Sequence, residues 1–268
     1  MLTMKGVPIV RGVATSLTTP QGVLSSRFVG LANYQRMLHD EVWLASLRNA
    51  GKLVLTLPVF ILVPLVFAAV LFNGAPGWRF FRATFFMSWL LPPVSVGFMF
   101  TPIFGSYGPI NMMLSRLNVE PIPWLGSPTL APLVVGAALL WSWFGLGTVI
   151  YLAGLATIPT DQLDASRIDG ARMWSVLRWV QIPHLVPTIA FWSVLCTSNM
   201  LLNVFAYIYA LTEGGPGTAT MLPEYYIWTT TQYFNPGYTS ALGISLFIIV
   251  AAVVFIQVRF LLAGASDE

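Results

Sequence analysis

Five stretches of this 268-residue chain contain no Asp, Glu, Lys or Arg: 53–78, 83–115, 121–160, 179–212 and 225–258. Each exceeds the roughly 20 residues that a helix needs to cross a hydrocarbon core. Inside that core every backbone N–H and C=O must find a partner within the chain, which leaves only helices or closed barrels. Barrel strands alternate apolar and polar residues in segments of about ten, whereas these intervals are continuously apolar. They therefore predict an all-α, polytopic helical membrane protein with about five transmembrane helices, near 50–72, 83–104, 131–156, 185–209 and 239–262. Composition agrees: 56% of residues are hydrophobic and only 9% are charged, against about 25% charged in a soluble domain.

Several functions are disfavoured by what the chain lacks. Cys196 is the only cysteine, so no disulfide can form within the chain. His39 and His184 are the only histidines and lie far apart, which argues against a metal centre. Neither Lys5 nor Lys52, the only lysines, follows a Gly-x-x-x-x-Gly phosphate loop. No cofactor is expected, and any ATP must be bound by another polypeptide. The net charge of +3 comes mostly from arginines beside the apolar runs, which set membrane orientation rather than bind nucleic acid. A membrane-embedded enzyme is disfavoured because no Ser/His/Asp, metal-ligand or paired-carboxylate set falls in a span. A self-sufficient secondary carrier or channel is the main alternative, and it calls for intramembrane ionisable residues that the span centres lack.

Arginine placement orients the chain. Alternating the five spans groups Arg79, Arg82, Arg167, Arg172, Arg178 and Arg259 on one side, and Arg116, Glu120, Glu213 and Glu224 on the other. The positive-inside rule puts the first group in the cytoplasm. The same alternation puts residues 1–49 outside, although they hold Lys5, Arg11, Arg27, Arg36 and Arg48.

Residues 164–183, Asp-Ala-Ser-Arg-Ile-Asp-Gly-Ala-Arg-Met-Trp-Ser-Val-Leu-Arg-Trp-Val-Gln-Ile-Pro, concentrate charge on the cytoplasmic side. Pro159 and Thr160 provide a helix start, which predicts a short helix over 161–168. Gly170 allows a sharp turn there, and Asp169 can cap a second short helix. Two short helices at an angle would make a compact knob. On charge alone, the segment could equally be a solvated loop that fixes topology.

The pattern of this segment resembles the Glu-Ala-Ala signature of permease subunits in bacterial ABC importers. Asp164 stands in the place of the Glu, Ala165 and Ser166 in those of the alanines. Asp169, Gly170 and Ala171 match the signature outright. Leu177, Val180, Ile182 and Pro183 follow its spaced apolar tail. The resemblance covers nearly everything from residue 8 onward. Phe28-Val-Gly-Leu-Ala-Asn-Tyr34 and the turn Thr212-Glu-Gly-Gly-Pro216 resemble the carbohydrate-uptake branch, the maltose and glycerol-3-phosphate type of sugar permease. Gly108, Asn111 and Leu114 fit an external Gly-x-x-Asn-x-x-Leu element of such permeases.

This resemblance implies a multi-pass subunit of the bacterial inner membrane that forms the path for a sugar, expected to be neutral. It also implies two copies of an ATP-binding subunit, a second homologous permease and an extracytoplasmic solute-binding protein. The knob would dock on the ATPase through Arg167 and Arg172, with Met173 and Trp174 as apolar anchors. In such permeases a long helix precedes the Phe28–Tyr34 element, and residues 8–18 resemble only its tail. The expected layout is an external segment 1–49 with a lost or truncated first helix, and an upstream start is favoured. A permease domain 50–262 follows, with a coupling loop 158–184 and a tail 263–268.

Within the 185–209 span, Trp192, Cys196, Asn199, Asn203 and Tyr207 recur at spacings of four, three, four and four, on one helical face. Amides at lipid depth must face the bundle or a watery cavity. Trp192, Asn199, Asn203 and Tyr207 are thus candidates to line a sugar path, with interhelical hydrogen bonding as the plainer alternative. Pro58, Pro64, Pro92 and Pro93 are candidates for kinks or hinges.

Overall fold

The computed structural model describes residues 2–20, 26–74, 77–168, 170–233 and 235–265. The membrane body is helical. α3 (Glu41–Leu55) and α4 (Leu57–Phe72) together make the first span, Glu41–Phe72. α5 (Trp78–Leu90) and α6 (Pro93–Ile103) make a second span, bent by 100°. The third is α8 (Ala131–Leu155). In the fourth, α10 (Met173–Val176), a π-helical turn (Leu177–Gln181) and α11 (Ile182–Leu202) run on as one helix. The fifth is Pro236–Phe260 of α14 (Pro236–Ala265). Among the described residues these are the five expected crossings, counting the bent pair as one.

Two departures from the expected spans have clear causes. The first helix begins at Glu41 rather than near 50, because Asp40 caps it. One carboxylate oxygen of Asp40 accepts the N–H groups of Val42 and Trp43, each at 3.0 Å, which satisfies two donors that the first turn leaves open. The second span breaks at Pro92 and Pro93, which offer no N–H. Leu91, preceding a proline, is extended at φ −74°, ψ 134°. Pro64, by contrast, lies within α4 without ending it.

α8 forms the centre, packed against α4, α5 and α11. Leu139, Tyr151 and Leu155 of α8 are fully buried. Small residues set the spacing, as expected where apolar side chains gain little from leaving lipid. A Cβ on Gly145 would run into the Phe85 carbonyl of α5, and one on Gly147 would come within 2.7 Å of the Trp192 indole on α11. Trp192 is buried and donates its indole N–H to the Phe60 carbonyl at 3.0 Å, tying α11 to α4.

Short elements finish the external end. α1 (Leu2–Ser16) packs along α14, and the strands β1 (Thr18–Pro20) and β2 (Ser26–Phe28) pair antiparallel, Thr19 opposite Arg27. The chain after α1 returns to the same end: α2 (Ala32–Leu38) also lies on α14, and buried Asn33 donates to the carbonyls of Ser16 and Thr18. α7 (Pro109–Arg116) presents Asn111, whose amide joins the carbonyls of Gly105, Ser106 and Ile122 and accepts from the Ile122 N–H and Trp124 indole N–H. Of the expected C-terminal tail, residues 266–268 lie outside the described residues.

Asp40 also joins three elements. Its second oxygen accepts the hydroxyls of Tyr226, on α13 (Pro223–Thr231), and Tyr238, on α14, while Arg36 lies 4.2 Å over the Tyr238 ring. Burial pushes the Asp40 carboxyl up, but bonds from Tyr226, Tyr238 and the N–H groups of Trp43 and Val42 outweigh it, and the net shift is downward. A depressed carboxyl stabilises the fold above the unfolded-state value and loses that contribution as pH falls through the folded one. Asp40→Ala is expected to cost about 1–2 kcal/mol at neutral pH, read as a lower unfolding midpoint in detergent. The gap to wild type should begin to narrow only as pH falls below about 4.

Candidate functional site

On the cytoplasmic side, α9 (Thr160–Ile168) ends at a turn closed by the Ala171 N–H on the Ser166 carbonyl, 3.0 Å. Gly170 sits there at φ +68°. This is a Schellman ending, which needs one left-handed residue and places it just past the helix. A Cβ on Gly170 would meet nothing within 4 Å, so backbone conformation alone selects glycine.

Past this turn the chain departs from the expected second short helix. α10 does not stop; it passes through the π turn into α11, because the residues from Met173 onward are apolar enough to continue into the span. The π turn stands directly before Ile182-Pro183, where the proline ring removes an N–H from the ladder. The cap position of α10 is Arg172, whose side chain makes no capping bond. Asp169, expected to cap this helix, lies outside the described residues, as does the Arg167 side chain.

The remaining signature residues form the rim of this turn. Asp164, Ala165, Gly170, Ala171 and Arg172 are exposed, and Met173 is half-buried. Ser166 is turned inward, its hydroxyl on the Leu163 carbonyl at 2.7 Å. Trp174 is 61% exposed, as are two apolar residues that sequence reasoning passed over, Ile168 at 86% and Trp179 at 72%. A groove of about 510 Å³ opens between α9 and the start of α11, lined by Ala165, Ser166, Trp179, Pro183 and His184. Large exposed apolar side chains around this turn make a surface suited to a protein partner.

The external half of the fourth span is broken. α11 ends at Leu202 and α12 (Phe205–Leu211) begins after Asn203 and Val204. No proline or glycine is involved. Instead one oxygen of Glu224 on α13 accepts the N–H groups of Val204 and Phe205 at 2.9 and 3.0 Å, replacing the ladder bonds that the break removes. The single polar face read from 192 to 207 is therefore interrupted. Trp192, Cys196 and Tyr207 are buried in the packed interior. Asn199 is half-buried and Asn203 exposed, and Asn203 donates to the Asn199 side-chain oxygen at 3.0 Å. The structure brings the two amides together, with Asn203 the more exposed of the pair.

Beyond the break, the turn over 212–222 is fastened from two directions. The Thr220 hydroxyl donates to the Gly215 carbonyl at 2.7 Å, and Asn49 of α3 donates to the carbonyls of Thr218 and Met221. Phe205 and Tyr209 of α12 meet Tyr225 and Trp228 of α13 in one aromatic group, with ring centroids 5.4–5.9 Å apart.

Five crossings, a helix-and-turn knob continuous with one of them, and a broken polar helix at the opposite end define the membrane component of a transporter. The family model described as "Binding-protein-dependent transport system inner membrane component" matches residues 45–267, and the chain belongs to that family. The lactose transport system permease protein LacF of Rhizobium radiobacter is 32% identical over 93% of this chain and 86% of its own length. The trehalose/maltose transport system permease protein MalF of Thermococcus litoralis is 31% identical over 87% and 79%. The fold is also that of a bacterial ABC transporter involved in import of the acidic polysaccharide alginate, with a TM-score of 0.84 at 20% identity over 97% of this chain and 90% of that one. The protein is thus a multi-pass inner-membrane permease subunit of an ABC importer, a transport component rather than an enzyme.

Burial raises the Glu224 carboxyl, and the N–H groups of Phe205 and Val204 draw it only partly back. A raised carboxyl contributes full stability below the unfolded-state value and loses it as pH rises through the folded one. Glu224→Ala is expected to cost about 1–3 kcal/mol, because it strands two N–H groups. Wild type should gain stability relative to Glu224→Gln as pH falls from about 8 toward about 4. Paired thermal melts of the three proteins in detergent across that range check both.

Proposed function

We propose that this subunit carries a neutral sugar across the membrane and takes its power from ATP-binding subunits through the 158–184 segment. The observation that supports coupling is the Gly170 turn, a left-handed residue fixing exposed apolar side chains at the end of a helix that runs to the polar break. Two ATP-binding subunits would dock on this knob, with Arg172, Met173 and Trp174 at the contact. A second, homologous permease would complete the membrane pore, and a solute-binding protein would deliver sugar outside. ATP would be held by the docked subunits. The sugar assignment is supported by the names of relatives that carry lactose and trehalose or maltose. The Asn199–Asn203 pair is the best candidate for the path, since amides offer both donors and acceptors to sugar hydroxyls. Trp192 and Tyr207 would support its walls from within the bundle.

Gly170→Val is expected to abolish sugar-stimulated ATP hydrolysis without blocking membrane insertion, since a β-branched residue at φ +68° is strongly disfavoured. Gly170→Asn, which tolerates that region, should keep most of it. Co-purification of the ATPase and hydrolysis in vesicles test both; full stimulated activity in the valine variant would overturn the docking role. For the path, Asn199→Leu and Asn203→Leu should cut uptake about tenfold or more with assembly intact. Loss of assembly instead would make the amides bundle contacts.

A further inference from the structure

We propose that the exposed rings of Tyr209 and Trp228, carried on α12 and α13 beside the Asn199–Asn203 amide pair, form a shelf that receives the apolar face of a neutral pyranose. The inference rests on the sugar-import reading above and names the surface that takes the sugar before it reaches the amides. Four rings meet here, but they are not equivalent. Tyr225 is 5% exposed and serves as the floor, while Tyr209 and Trp228 are 42% and 36% exposed. Phe205 joins the group, its ring stacked on Tyr209 at 5.8 Å and edge-on to Trp228 at 5.5 Å.

The shelf is fastened to the segment that carries the amides. Phe205 is only two residues beyond Asn203, and Glu224 fastens α13 to the start of α12 through the Val204 and Phe205 N–H groups. A ring surface covers the C–H face of a pyranose, and adjacent amides bond its hydroxyls; neither group alone distinguishes a sugar from a lipid tail or from water. Asn203 spends one N–H on Asn199, and an amide retains a second N–H and oxygen lone pairs for hydroxyls.

Charge selects the neutral form. No lysine or arginine occurs between Arg178 and Arg259, and the only carboxylates in that interval are Glu213 and Glu224. Glu224 is occupied with backbone N–H groups, and Glu213 is exposed. Elements α11 to α13 thus offer an acidic or phosphorylated sugar no cation and one repelling carboxylate.

The test uses the whole importer, purified through a tag on this subunit, in proteoliposomes with saturating binding protein. Labelled lactose, trehalose and maltose, and an acidic uronate oligosaccharide, serve as probes. The readout is sugar imported per ATP hydrolysed, which a merely structural role would not move. Trp228→Leu and Tyr209→Leu, which keep apolar bulk but lose the ring, are expected to lower that ratio roughly two- to tenfold for a neutral sugar. Trp228→Phe and Tyr209→Phe should stay within about twofold. If the leucine variants keep the wild-type ratio, or lose hydrolysis and uptake in proportion, the rings are interfacial anchors and the shelf is wrong while sugar import stands. Uptake of the uronate alone would overturn the neutral-sugar selection, and a wild-type importer carrying none of the four would remove the underlying sugar reading as well.

Discussion

A chain in hydrocarbon has no water to bond its backbone, so each interruption of a helix must be repaired by the protein itself. This constraint explains where polar side chains are found here. Asp40 supplies acceptors to the open first turn of α3, and Glu224 supplies them to the start of α12. Asn111 closes the loop after α6 with both ends of its amide. The break between α5 and α6 is made instead by two prolines, and Leu91 before them is extended. Charge is scarce in this protein, and two of the ten acidic residues are spent on helix starts at its external end.

The same constraint makes α11 a connecting rod. With α10 and the π turn it forms one helix, Met173–Leu202, of 30 residues, which at 1.5 Å per residue is about 45 Å long. Its cytoplasmic end is the knob and its external end is the amide pair. Along the way it is tied to α4 by Trp192 and pressed against α8 at Gly147 and Gly154, where a Cβ would come within 2.7 Å of Trp192 and Leu185. A helix so tightly packed against its neighbours cannot bend freely, and under the proposed coupling it would pass a push on the knob along its length.

The span count was legible in the sequence because charge-free length is a property of composition and needs no tertiary knowledge. The Gly170 turn was legible too, since a Schellman ending is local: the glycine and its bonding partners lie within five residues. What could not be read was anything resting on distant partners. Val204 and Phe205 carry no mark of a helix break, because the carboxylate that permits it lies about twenty residues away on α13. Helical spacing therefore joined Tyr207 to Asn203 on one face, and the break separates them. The same periodicity put Trp192 on that face, but it carried no sign that its indole N–H bonds the carbonyl of Phe60, more than a hundred positions earlier. Ile168 and Trp179 fall between the matched positions of the signature, and only the fold shows that they are exposed.

The position of the break and the continuity of the rod belong together. Had α11 run on through Asn203 to Leu211, the rod and α12 would move as one body. Separated, α12 is held by Glu224 to α13 and packs against α6, with Ala210 so near Gly97 that a Cβ there would touch it. The external end thus forms a block of α6, α12 and α13, joined to the rod along the chain through Asn203 and Val204. Under the proposed coupling, displacement of the rod would change the angle at that joint first. The exposed Asn203 amide stands at that joint, so a sugar held there, as proposed, would feel the movement directly.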